Sequence, residues 1–237
     1  MLALAAIDWQ RPWLAPYRAL GEPLAQRVRQ GVPVCEALNE CAARVAASQP
    51  LPRFVPQSAL PEGQAYEAFI AKTWQVPTRD NLHDFFNGLM WLHEGGLKRR
   101  LNELQATEIA AQGIGQHRGL RRDALTLFDE NALIVQAPAE LLQVLEQRDW
   151  PRLFIGLRPL WAQTDLQVFG HALLEKLVQP RKPITAHVWL RDGLMDGLAL
   201  KPFAPLPVLG IPGWWAENEG AGFYADAAVF RPPRVRS

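Results

Sequence analysis

The apolar positions of this chain change period several times, and the densest mixture of apolar and polar chemistry falls between Pro77 and Ala111. At about 100° per residue, Leu82, Phe85, Phe86, Leu89, Met90, Leu92 and His93 cover one broad side of a helix. His83, Asp84, Asn87 and Trp91 share the remaining arc. A helix apolar over so much of its circumference is a buried one, so its polar side chains need partners. Asp80 or Asn81 can supply its N-cap. Gly95-Gly96 then turns the chain into a second helix, about 97–111, whose Leu97, Leu101, Leu104 and Glu108 fall within a narrow arc. Folding the two helices about that turn sets Glu108 level with His83. It also places a carboxylate where the period assigns core, and a buried carboxylate requires a partner.

Around this predicted hairpin the pattern is simpler. Trp9, Trp13 and Tyr17, four residues apart, read as aromatic anchors that dock the N-terminal lead. Helices are expected over about 23–30, 34–47 and 64–72, the second carrying the stripe Val34, Leu38, Cys41 and Val45. Residues 48–61 hold four prolines, which excludes helix and central strand and leaves an ordered extended crossing between an N-terminal helical part (about 1–47) and the main body of one domain, 1–237. Strands are expected over 124–128 and 132–136, joined by a turn at Asp129-Glu130-Asn131, and over 153–155. Helices follow over 138–147 and 166–178; the second places His171 and Glu175 four apart on its polar side, with Gly170 admitting a close neighbour. Residues 184–190 alternate as a half-buried strand turned by Arg191-Asp192-Gly193, and 206–237 read as loop with Trp214-Trp215. The fold class predicted is α+β, predominantly helical, with a central helix hairpin at about 80–111 and a small antiparallel sheet.

Composition narrows the function classes. Of 237 residues 49% are hydrophobic, enough for a substantial core, and 25 Lys and Arg balance 24 Asp and Glu. No field is expected that would recruit nucleic acid or an anionic membrane. No apolar run approaches the roughly 20 residues of a membrane span. The opening MLALAAIDWQRP lacks the basic region and cleavage pattern of a secretory leader, and Cys35 and Cys41 lie too far apart on one helix for an easy disulfide, so a reducing cytoplasm is expected. Nine tryptophans and twenty prolines suggest loops pinned by rings, and a Trp/Pro-rich surface could meet a protein partner.

Five blocks carry a resemblance: RDNLHDFFNGLMWL (79–92), LNELQATEI (101–109), RDALTLFDEN (122–131), FGHALLEKL (169–177) and LPVLGIPGWWAENEGAGFYADAAVFRP (206–232). In this order they are similar to the bacterial family known as domain of unknown function 3025. The resemblance runs from about residue 50 to the end and is compatible with the N-terminal part. It implies one family domain in a bacterial cytosolic protein. It carries no reaction, cofactor or partner with it, so no catalytic residue is taken from it.

The residues themselves define one constellation: His83, Asp84, Asn87, Glu108, His171 and Glu175. Three readings fit it. The histidines and carboxylates can be a structural network that fastens helices together. They can be a metal-free acid–base site, with His83 or His171 exchanging a proton against Asp84, Glu108 or Glu175. Or His83, Glu108, His171 and Glu175 can hold a divalent metal with an activated water. Asn87, Trp214 and Trp215 are the candidate substrate contacts, the two rings either as a lid or stacking wall or simply as closure of the core. Metalloprotease, nucleophile-elbow and phosphate-loop motifs are absent, and the glycines of GIGQHRG (113–119) follow a helix, the wrong order for a dinucleotide site. Two function classes follow: a hydrolase-like enzyme acting on a small molecule, or a non-catalytic binding or scaffold protein. An enzyme requires these side chains to open onto a concave pocket, whereas a scaffold seals them.

Overall fold

A computed structural model describes residues 3–45, 50–112, 119–189 and 203–232. Its helices are α1 (Arg18–Arg29), α2 (Val34–Val45), α3 (Tyr66–Thr73), α4 (Leu82–His93), α5 (Gly95–Gln112), α6 (Leu120–Asn131), α7 (Ala139–Gln147) and α8 (His171–Lys176). Its strands are β1 (Arg53–Pro56), β2 (Gln75–Thr78), β3 (Ala132–Gln136), β4 (Asp165–Val168), β5 (Thr185–Trp189) and β6 (Phe203–Pro207). The fold is α+β and predominantly helical. The 113–118 segment with His117 and the turn at Arg191, Asp192 and Gly193 lie outside the described residues.

Helix α4 is the centre. Every residue from Asp84 to Leu92 is buried, as its near-continuous apolar circumference predicts. It packs against α2, α5 and α8. Asn81 caps it by accepting from the Asp84 amide (2.7 Å), while Asp80 accepts from the Val34 amide (2.8 Å) and so ties the start of α2 to the same turn. Gly88 lets α2 approach, since a Cβ there would stand 2.3 Å from Leu38 Cδ1.

Helices α4 and α5 break at Glu94, with Gly95 and Gly96 already in the first turn of α5. They meet near the turn, where Lys98 Nζ donates to Asn87 Oδ1 (2.8 Å), and part beyond it. The buried line of α5 is Lys98, Leu101, Asn102, Gln105 and Ile109; of the predicted Leu97, Leu101, Leu104 and Glu108 only Leu101 lies on it. Three of those five are polar, so a search for apolar period finds the wrong stripe.

Three further elements differ from the sequence reading. Residues 124–128 belong to α6, so no hairpin forms there, and Asp129, Glu130 and Asn131 are its last turn. Its buried Ala124, Leu125, Phe128 and Asp129 have helical spacing; alternation over a short apolar run does not separate the two periods. Residues 153–155 lie in a π-helical turn (Arg152–Gly156). The predicted 166–178 helix divides into β4 and α8 at Phe169-Gly170. The sheet is therefore mixed, in the order β4-β3-β5-β6: β3 runs antiparallel to β4 and parallel to β5, and β5 antiparallel to β6. Strand β6 was missed because Pro205 and Pro207 argue against strand; it survives at the sheet edge, where a missing amide proton is tolerated. The Pro-rich crossing holds β1, which pairs parallel with β2 in a separate two-stranded ribbon.

Gly170 is where β4 hands over to α8. A Cβ there would lie 2.5 Å from the carbonyl oxygen of Glu130 and 2.6 Å from Asn131 Cα, backbone that cannot step aside. This contact seats His171 beneath the end of α6. Gly170→Ala is expected to cost about 1–3 kcal/mol of stability by overpacking. Equilibrium urea unfolding measures it, and an unchanged midpoint would show that the junction has slack.

Aromatic rings close the far side. Tyr17 donates its hydroxyl proton to the Val168 carbonyl (2.7 Å), and Trp13 meets Trp214 with ring centroids 5.8 Å apart. Phe154 stacks on Trp150, Trp161 and Tyr224.

Candidate functional site

A cavity of about 570 Å³ opens among α3, α4, α5, α6 and α8. Helix α3 contributes Tyr66 and Glu67, α4 and the residues before it Arg79, His83, Asp84 and Asn87, and α5 Gln105 and Ile109. Arg122, Thr126, Asp129 and Glu130 come from α6, and His171 from the first turn of α8. Most of the residues lining it are polar, and from the buried line of α5 Gln105 and Ile109 reach it.

The central feature is a file of hydrogen bonds. Glu175 Oε2 lies 3.0 Å from His83 Nδ1, His83 Nε2 lies 3.1 Å from His171 Nε2, and His171 Nδ1 lies 2.8 Å from the carbonyl oxygen of Asp129. Proton accounting fixes much of its state. A carbonyl only accepts, so His171 Nδ1 carries a proton and, in the neutral ring, Nε2 is an acceptor. His83 Nε2 must then donate. What remains is one proton between His83 Nδ1 and Glu175 Oε2, on the ring as an imidazolium–carboxylate pair or on the acid. The outer members are accessible, with 35% of the His83 side chain and 39% of the Glu175 side chain exposed.

Behind the file sits a buried ion pair. Lys98 Nζ donates to Asp129 Oδ1 (2.5 Å) and to Asn87 Oδ1, and Asn87 Nδ2 donates to the Tyr66 hydroxyl (3.1 Å). Burial by itself would push the Asp129 carboxyl up; the charge of Lys98 and its hydrogen bond lead the opposing causes, and Asp129 is held below the usual carboxylate range. Burial holds His171 down to about 3, aided by the positive charges of Lys98 and His83 and opposed by Asp129, so its ring is neutral at ordinary pH. Glu67 moves the other way: burial first, then the charge of Asp129, raises its carboxyl, against a hydrogen bond of 2.6 Å from Asn102. Burial also lifts the Tyr66 hydroxyl well above its ordinary value. Two carboxyl groups of one cavity are thus driven in opposite directions, and Glu67 is left the more basic of the two.

The predicted constellation is brought together in part. His83, Asp84, Asn87 and His171 line the cavity, and Glu175 joins through His83. His171 and Glu175, four apart on α8, meet through His83, which stands between them. Asp84 receives the Arg79 amide and guanidinium in three hydrogen bonds (2.6–3.0 Å), so it organises the α4 entrance. Glu108 lies elsewhere: its carboxylate pairs with Arg121 at 3.2 Å, because α5 diverges from α4 toward α6. His83, His171 and Glu175 form a file, not a shell around one point, and among the described residues no group of three or more His, Cys, Asp and Glu is placed to hold a metal ion. Trp214 and Trp215 belong to the aromatic closure: Trp214 packs on Trp13, and the Arg11 guanidinium lies over both Trp13 and Trp215, 5.7 and 5.5 Å from the ring centroids. Asn218, fully buried, donates to the carbonyls of Leu209 and Ile211 and locks that loop.

Sequence reasoning missed Tyr66, Glu67, Arg79, Lys98, Arg122 and Asp129. Lys98 and Arg122 stand among neighbouring basic residues, Lys98-Arg99-Arg100 and Arg121-Arg122, with no apolar period to mark them as buried, and Asp129 falls in the predicted turn. For Lys98 there was one signal, the polar line that it forms at helical spacing with Asn102 and Gln105.

The model of a family described as "Protein of unknown function (DUF3025)" matches residues 52–199 and 191–234 of the chain. No curated protein and no solved structure matches it.

Proposed function

We propose that this chain, which belongs to the DUF3025 family of proteins of unknown function, is a hydrolase-like enzyme that performs acid–base chemistry on a small polar molecule in the cavity. The observation that carries this reading is the Glu175–His83–His171 file, in which both histidines line the cavity and Glu175 backs His83 from the accessible side. His83 is the general acid. Its Nε2 proton, held by His171 in the free protein, passes to the leaving atom of the substrate, and the proton shared with Glu175 keeps the ring supplied. Glu67, raised by burial, takes a proton from the attacking water. The balance is that of hydrolysis: one bond of the substrate breaks, water supplies hydroxyl to one fragment, and the other leaves with the proton from His83. Buried His171 acts as a positioning residue, fixed by the Asp129 carbonyl. The scaffold alternative has support in the inner network, where Lys98, Asp129 and His171 fasten α4, α5, α6 and α8; the accessibility of His83 and Glu175 favours the enzyme. No helix of the described residues is long and apolar enough to cross a membrane, and free Cys35 and Cys41 suit the cytoplasmic setting we infer.

Incubating wild-type protein and His83→Gln with a small-molecule extract tests the reading. A compound consumed with the gain of one water is expected, and His83→Gln should slow it by about 100-fold or more while leaving the melting temperature nearly unchanged. Glu175→Gln should fall between the two. An extract left unchanged by the wild type, or consumed equally by His83→Gln, overturns it.

A further inference from the structure

Three arginines stand near the cavity, and two are already engaged. Arg79 is held by Asp84, and Arg121 by Glu108. Arg122 differs: it lines the cavity, and its Nε is buried without a hydrogen-bond partner among the described residues. A guanidinium N–H shut away from both water and an acceptor costs free energy, and such a group at a cavity wall marks the place of an absent acceptor. Arg122 also lies in the first turn of α6, whose N-cap, Gly119, has no side chain to accept from the free amides. The helix polarity there favours negative charge as well.

We infer that Arg122 anchors the substrate through a carboxylate, so that the ligand is a small monocarboxylate; this rests on the reading of the cavity as a substrate site. The Nε–Nη edge of a guanidinium is a planar fork that matches a carboxylate with two parallel hydrogen bonds. The surroundings select against a more highly charged anion. Glu67, Asp129 and Glu130 line the same cavity, and of these Asp129 is compensated by Lys98. A singly charged, planar group meets the fork with the least repulsion, whereas a phosphate dianion brings twice the charge against the same carboxylates. The anchored carboxylate leaves the rest of the ligand to reach His83 across the cavity.

The test uses full-length protein labelled with ¹⁵N-arginine, acetate as probe, and chloride to hold ionic strength constant. Arg122→Lys assigns the Nε–H signal. Acetate should shift that signal saturably, chloride should not, and inorganic phosphate should act more weakly. The gain in melting temperature with acetate should require about tenfold more acetate in Arg122→Lys, which keeps the charge and loses the fork. A signal that acetate leaves unmoved overturns the anchor, and equal shifts by acetate and phosphate overturn the carboxylate class. Failure here is separable from failure of the acid–base reading. Turnover abolished in His83→Gln with KM unchanged in Arg122→Lys discards the anchor alone, while acetate binding at Arg122 with turnover indifferent to His83 discards the acid–base role alone.

Discussion

Replacing Lys98 by Met is expected to lower the stability of the folded protein by about 3–5 kcal/mol, the range seen when one partner of a buried ion pair is removed. Lys98 is 4% exposed, its ammonium lies 2.5 Å from Asp129 Oδ1, and it also donates to Asn87. Methionine fills a similar volume, so the loss comes from the Asp129 carboxylate left in a place where burial alone would push it up. Two features separate this from a packing effect. Adding Asp129→Asn should recover part of the loss, giving a coupling energy well outside additivity in a double-mutant cycle. The deficit should also shrink in acid. In the wild type Asp129 contributes stability that is present above its unfolded value of 3.8 and lost as pH falls through its lower folded value. In Lys98→Met the carboxyl is protonated more readily, so acid relieves the variant before it harms the wild type. Denaturant unfolding at pH 7 and pH 5 reads both effects; a loss below about 1 kcal/mol would mean that water reaches Asp129 freely.

The second large effect is a pH dependence that belongs to His171. Its folded value, about 3, lies below the ordinary imidazole value of 6.5. Above pH 6.5 the ring is neutral in both states and no stability is lost. Below it the unfolded chain takes up a proton that the folded protein refuses, so stability falls at a limiting slope of about 1.4 kcal/mol per pH unit until the folded ring also titrates. Between pH 6 and pH 4 this amounts to roughly 2–3 kcal/mol from one side chain. His171→Gln, whose amide can still donate to the Asp129 carbonyl, should cost stability at pH 7 yet flatten this arm by one proton, so that the two stability curves converge in acid. Parallel curves for wild type and variant would mean that His171 charges inside the fold and that its Nε2 does not accept from His83.

What local chemistry alone can specify was legible here. The buried helix α4 followed from its apolar circumference, its N-cap from Asn81, the strand at 185–189 from alternation, and the tight junction from Gly170. His83, Asp84, Asn87, His171 and Glu175 stood out because polar groups on an apolar helix, or four apart on a short one, must find partners. The partners themselves are set by tertiary structure. Glu108 is in register with His83 only if α4 and α5 stay antiparallel; they diverge, and Arg121 of α6 takes its carboxylate instead. Residues 124–128 form helix because their buried positions pack onto β5 and α8, information absent from a five-residue window. Tyr66, Glu67, Lys98, Arg122 and Asp129 come from three helices separated in sequence and converge only when those helices enclose the cavity. A polar stripe that faces a polar cavity has the same period as one that faces water, and only the packed neighbours on either side decide which it is.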